Sequence, residues 1–168
     1  AEATDFLSAA YFLKYSNNLQ VVRSVTSVAY NSHDSDAGSS PLVKNLQNFN
    51  NQESALADSD QTFIARYPGD LGNSITVSVC PYSASDSAFD NWAYASSFDA
   101  APGTSSFASG VSASNDEAHI VVVDRLGSFT GTRGTVLESF PFVSLATNAK
   151  TPNGTSNYAK DVVNNASS

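Results

Sequence analysis

Two histidines and a few closely spaced acids are the side chains of this sequence with chemistry to offer. His33 stands with Asp34 and Asp36 in "SHDSDAGSS", residue types that suit a metal or acid-base cluster. Their spacing does not fit a calcium loop, which needs a further Asp or Asn before the glycine and a distant Glu, so a solvated loop is expected. His119 lies in an apolar run beside Asp116 and Glu117. No G-x-S-x-G elbow places a nucleophile near it, and a triad drawn from the abundant serines has no motif behind it. We expect a surface or cross-strand histidine. The pairs Asp116-Glu117 and Asp58-Asp60 have the residue types of a glycosidase, but nothing makes either pair face the other across a cleft. Accordingly no catalytic, cofactor-binding or metal-ligating residue is assigned, no cofactor is expected, and the chain is expected not to be an enzyme. Hydrolysis through His33 or His119 is the rival with least support.

The stretch "DRLGSFTGTRGTVLESF", Asp124 to Phe140, raises a different possibility, because glycine-rich loops after apolar strands can cradle phosphate with their N-H groups. Here the lysine is missing. Gly127, Gly131 and Gly134 do not fit G-x-x-x-x-G-K-[ST], and "TVLESF" is β-branched and aromatic rather than helix-forming. The expectation is a loop joining two antiparallel strands. Trp92, with Phe89, Tyr94 and Phe98, could form a contact surface for carbohydrate or protein, or the filling of a β core; core packing is favoured. Asn153-Gly-Thr and Asn165-Ala-Ser match the glycosylation sequon, which chance supplies readily in an Asn- and Thr-rich chain.

Composition narrows the partners. With 168 residues the chain can build one sizeable core. Charged residues are only 14%, so polarity comes from Ser, Asn, Thr and Asp, which favour turns and strands over long helices. A net charge of -8 argues against nucleic acid and against an anionic membrane surface, since scattered cations release few counterions. No run approaches the ~20 apolar residues of a membrane span. Cys80 is the sole cysteine, in "ITVSVCPY", and is expected as a small buried apolar residue. There is no Met, even at position 1, and helical patterning is under way by Asp5, so we expect an internal piece of a longer protein.

The elements that must position these residues follow from periodicity. Thr4 or Asp5 is expected to cap a helix carrying Phe6, Ala9, Ala10 and Leu13, ended by Ser16 to Asn18. "LQVVRSVTSV", Leu19 to Val28, reads as a strand. Ala29 to Asp60 reads as a crossing segment with one helical turn near Leu56. Phe63, Ala65 and Tyr67 alternate, Pro68-Gly69 and Gly72-Asn73 turn the chain, and Ile75, Val77 and Val79 line one face of a strand. Tyr82 to Asn115 is expected to form loops and short irregular strands. "EAHIVVVDRLG" is a strand, "TVLESFPFVSL" another whose Pro141 suggests an edge or an end, and "NYAKDVVNN" a helix.

Three of these stretches together resemble the tail sheath proteins of contractile-tailed bacteriophages: "ATDFLSAAYFLKYSNNLQVVRSV", "FIARYPGDLGNSITVSV" with its Y-P-G-x-x-G pattern, and the run from "EAHIVVVDRLG" to "NYAKDVVN". Their order and spacing agree with the family over most of the chain, most closely with large cyanophage-like myoviruses; 29-60 and 82-115 match nothing in it. The resemblance implies an α+β fold: a β-rich domain of antiparallel strands plus an N-terminal helix-strand unit that belongs to a separate conserved domain. It implies that residues 1-28 are a piece of the inner domain, 29-60 a linker, and 61-168 an outward-facing β-rich domain with a C-terminal helix. It implies a structural role, with subunits stacked in hexameric rings around a tail tube and rearranged on contraction. The implied partners are copies of the chain itself and the tail tube protein, in a virion tail assembled in the host cytoplasm. The family's linking arms and most of its C-terminal conserved domain have no counterpart here. A surface or secreted β module binding glycan or protein through Trp92 is the alternative.

Overall fold

A computed structural model describes residues 2-22, 24-34, 41-57 and 63-167. It is α+β, as expected: helices accompany a three-stranded antiparallel sheet, ordered β1-β2-β3. The strands are β1 (Ile75–Pro81), β2 (Glu117–Asp124) and β3 (Thr135–Ser144). β2 is central because "EAHIVVVD" is apolar on both faces and only the middle position covers both. Its register sets Ser78 opposite Val121 and Cys80 opposite His119.

β3 departs from regular pairing twice. Val122 and Val123 pair with Glu138 and Val136, leaving Leu137 extra; Ala118 and Ile120 pair with Val143 and Phe140, so His119 faces two residues, Pro141 and Phe142. A bulge of this kind shifts the side-chain alternation by one. Phe140 and Val143, three apart, therefore join one cluster with Ala118, Ile120 and Ala159. Pro141, which has no N-H to donate, sits in that bulge on an edge strand, in keeping with its expected place.

Each face of the sheet has its own cover. Helix α5 (Ala159–Ala166) brings Ala159, Val162 and Val163 onto the Ala118, Ile120, Phe140, Val143 face. Full burial of a valine would contribute about 1.5–3 kcal/mol; Val162 and Val163 are only partly buried and Ala159 offers one methyl, so each contributes less. The other face takes the segment 82-115. That segment contains no strand: it folds as α3 (Asp86–Asp90), a 3-10 turn Ala95–Ser97 and α4 (Ser106–Gly110), which corrects the expectation of irregular strands. At α4 a serine cap helps set the helix start, since Ser105 Oγ accepts from Ala108 N-H; α3 and the 3-10 turn begin without a side-chain cap bond.

The N-terminal region differs from its sequence reading. Helix α1 (Glu2–Leu13) begins before the expected caps, so Thr4 lies within it and takes a hydrogen bond from Ser8 Oγ. Residues 19-22 and 24-28 form no strand, and Val22 is 92% exposed. β-branched residues favour a strand only where a neighbour pairs with them, and none of the described residues does so here. The segment expected as a crossing carries a full helix, α2 (Leu46–Ala57), rather than one turn near Leu56. Asn45 caps it, accepting from Asn48 N-H at 2.8 Å, while Asn48 Oδ1 accepts from Lys44 N-H. The alternation Phe63, Ala65, Tyr67 yields a single bridge, Ile64 with His33, in place of a strand.

Candidate functional site

The glycine loop is the one segment with a phosphate-like pattern, and its N-H groups do surround an anion: the protein's own Asp124. β2 ends at Asp124, and the chain turns back through Gly127, Gly131 and Gly134, all at φ near +80°. Asp124 Oδ1 accepts from the N-H groups of Gly127 at 2.9 Å and Ser128 at 3.0 Å, and from Ser74 Oγ at 2.5 Å. Oδ2 accepts from the N-H groups of Phe129 and Thr130, each at 2.9 Å, and from Thr130 Oγ1 at 3.0 Å. The carboxylate is fully buried. Burial works to raise its pKa, but the Ser74 and loop donors outweigh it and hold the group well below the ordinary carboxylate range. The nest is thus filled from within, and the loop connects two antiparallel strands, as expected.

His119 is cross-strand, opposite Cys80, but buried rather than at the surface. Its Nδ1 accepts from Phe142 N-H at 3.0 Å, so the ring proton sits on Nε2, which donates to Ala100 O at 2.8 Å. Phe142 holds φ +50°, unusual for a bulky residue, and its N-H is the group that the bulge turned away from the ladder. His119 thus completes the backbone bonding of the bulge. Phe98 stacks on the imidazole at 4.2 Å and Phe142 meets it edge-on at 4.6 Å. Trp92 stacks on Phe98 at 5.4 Å, meets Tyr94 edge-on, and donates its indole N-H to Ser78 Oγ at 2.9 Å. These aromatics pack inward, as favoured on sequence grounds.

Asp116 and His119 are three residues apart but serve different partners. Asp116 accepts from Ser105 N-H and Oγ, both at 2.8 Å, and from Ser144 Oγ. Partial burial raises its pKa; the Ser144 and Ser105 bonds override this and the net shift is downward. Glu117 accepts from Gly103 N-H at 2.9 Å. His33 lies in its bridge to Ile64, and Asp34 donates its N-H to Phe63 O. Asp36, Asp58 and Asp60 lie outside the described residues. Among the described residues no three His, Cys, Asp or Glu side chains group as metal ligands, and no helix is long and apolar enough to cross a membrane. Cys80 is buried, as expected, and burial raises its thiol pKa.

Two of the most connected residues, Asp124 and Asn31, are given no role by any motif in the sequence. Asp124 looks like the first residue of a turn; an Asp followed by a Gly-rich, Ser/Thr-containing loop is the available hint. Asn31 is completely buried, donating through Nδ2 to Val43 O and Ala65 O, while its Oδ1 accepts from Val43 N-H at 2.7 Å. It ties the 41-43 and 63-65 segments together, and nothing in "YNSHD" announces it. Between α2, the 63-67 segment and the α5 side of the sheet lies a cleft of about 1510 Å³, lined by Phe49, Ile64, Val77, Ile120, Val122 and Val163. A Glu53–Lys160 ion pair at 2.5 Å joins α2 to α5 beside it.

No family model matches the chain, and no solved structure matches it. The tail sheath protein of Salmonella phage ViI is 37% identical to it over 135 residues, which is 80% of this chain and 18% of that protein. The chain therefore spans less than a fifth of the length of the relative it matches. Across four fifths of its residues, this chain is similar to a phage tail sheath protein.

Proposed function

We propose that the chain is a structural part of a contractile phage tail sheath, stacking in rings around the tail tube and rearranging on contraction. The observation that carries this reading is the 37% identity to a tail sheath protein over 135 residues. The fold supports it indirectly: buried polar side chains such as Asp124, Asn31 and His119 all bond to the chain's own backbone. On this reading the partners are further copies of the chain and the tail tube protein, the location is the virion tail after assembly in the host cytoplasm, and the role is not enzymatic. Residues 1-28 are a piece of an inner domain, 29-60 link it outward, and 61-168 form the outward-facing domain. The glycan- or protein-binding alternative is less favoured, because Trp92 spends its indole N-H on Ser78 and its ring on Phe98.

Immunogold labelling of virions carrying this sequence, with antibody raised against residues 61-168, tests the proposal. Gold along the whole tail shaft is expected. Labelling confined to the head, the baseplate or the fibres would overturn it.

A further inference from the structure

We infer that Asn153 is a site of spontaneous deamidation, converting to aspartate and isoaspartate in the folded protein. The sequence contains a single Asn-Gly pair, Asn153-Gly154. Both residues are exposed, and the Asn153 side chain has no hydrogen-bond partner among the described residues. Gly154 sits at φ +85° with nothing within 4 Å of where a Cβ would be, so the turn around it is open and its residue carries no side chain to crowd the approach of the Asn153 amide.

In the reaction the Gly154 nitrogen, having given its proton to base, bonds to Asn153 Cγ. The Cγ-N bond of the amide breaks and ammonia leaves, closing a five-membered imide. Water then opens that ring at one carbonyl or the other. One product carries an ordinary aspartate in place of Asn153; in the other the main chain runs through Cγ and gains a methylene. The process consumes one water, releases one ammonia and involves no oxidant.

The two asparagines that precede serine are held differently. Asn31 has its amide fixed by Val43 and Ala65, and Asn73 Oδ1 accepts from Ser32 Oγ at 2.6 Å while Ser74 beyond it is buried. One restraint acts on Asn153 as well: Gly154 N-H donates to Thr151 O at 2.9 Å, closing the Thr151-Pro-Asn-Gly turn. That bond must open before the nitrogen can react, so the folded protein converts more slowly than a free peptide. Isoaspartate would lengthen the backbone inside a hairpin held by Thr151 and Thr155 and by the Lys150–Ser156 bridge.

The test incubates the native protein and a synthetic peptide spanning Lys150 to Tyr158 together at mildly alkaline pH, followed by peptide mass mapping and an isoaspartyl methyltransferase assay. The expected result is conversion at Asn153 in the native protein, slower than in the peptide and faster at higher pH, with Asn31 and Asn73 unchanged. The methyltransferase signal should vanish in Asn153→Gln. A native protein still unmodified when the peptide is fully converted would overturn the inference, as would an undiminished signal in Asn153→Gln.

Discussion

At the residue scale, Asp124 and His119 play the same part, since each supplies what the backbone around it lacks. Asp124 receives donors that the turning loop cannot satisfy internally, and replacing it with Asn would set amide protons against the N-H groups of Phe129 and Thr130. Asp124→Asn is therefore expected to lower the urea midpoint at neutral pH. The native pKa of Asp124 lies below the ordinary ~3.9, so its stabilisation is complete above about pH 5 and is lost as pH falls through the acid range toward that native value. Midpoints measured from pH 7 down to pH 3 should fall less steeply in Asp124→Asn than in the natural protein; equal slopes would refute this account. His119→Leu keeps much of the volume but leaves Phe142 N-H and Ala100 O, whose bonds to it are only partly buried, without their partner. A loss of about 1–3 kcal/mol is expected, mainly from the Phe142 N-H, since the carbonyl of exposed Ala100 can turn to water; equilibrium unfolding reads it.

At the element scale, the β2–β3 connection separates conformational strain from crowding. Gly127 and Gly131 share a φ near +80°, but a Cβ on Gly127 would lie 3.1 Å from Arg133 N and Thr132 C, whereas one on Gly131 would meet nothing. Gly131→Ala should cost about 1–2 kcal/mol for the left-handed backbone alone, and Gly127→Ala clearly more. Equal losses in thermal unfolding would show that the loop yields freely around Gly127. The same elements show what can be read in advance. β1 and β3 follow from alternating apolar residues, β2 from its continuous apolar run, and α5 from a spaced Tyr-Val-Val, although Val79 at the end of the β1 alternation stays exposed. The bulge at Pro141-Phe142 is invisible in the sequence, since it depends on a side chain of β2 capturing a β3 amide, a contact without local signature. α2 is longer than its sequence suggests because its apolar spacing is weak and the Asn45–Asn48 cap is easily taken for loop. Residues 19-22 and 24-28 have valines enough for a strand but no pairing partner among the described residues, and propensity cannot report that. At the candidate site, inward packing of the aromatics is legible from composition, whereas Asp124 and Asn31 act through tertiary hydrogen bonds that no spacing rule encodes.

At the scale of the whole molecule, cohesion is uneven. α1 exposes most of its large apolar side chains, with Phe6 at 73%, while β2 is buried almost throughout. Hydrogen exchange on the intact chain should reflect this: amides of Val21 and Val22 should exchange rapidly, and those of Val121 and Val123 should be the last to do so. Comparable protection in both places would mean that the N-terminal segment has found a partner within the chain. The protein's only tryptophan sits at the boundary between the sheet and the 82-115 cover, its indole fastened to β1 and its ring against Phe98. Its emission colour is accordingly an intrinsic optical gauge of whether that cover stays seated on the sheet. A red shift on peeling, with the secondary structure still intact, would reveal the loss of the cover as an event of its own, without any label attached.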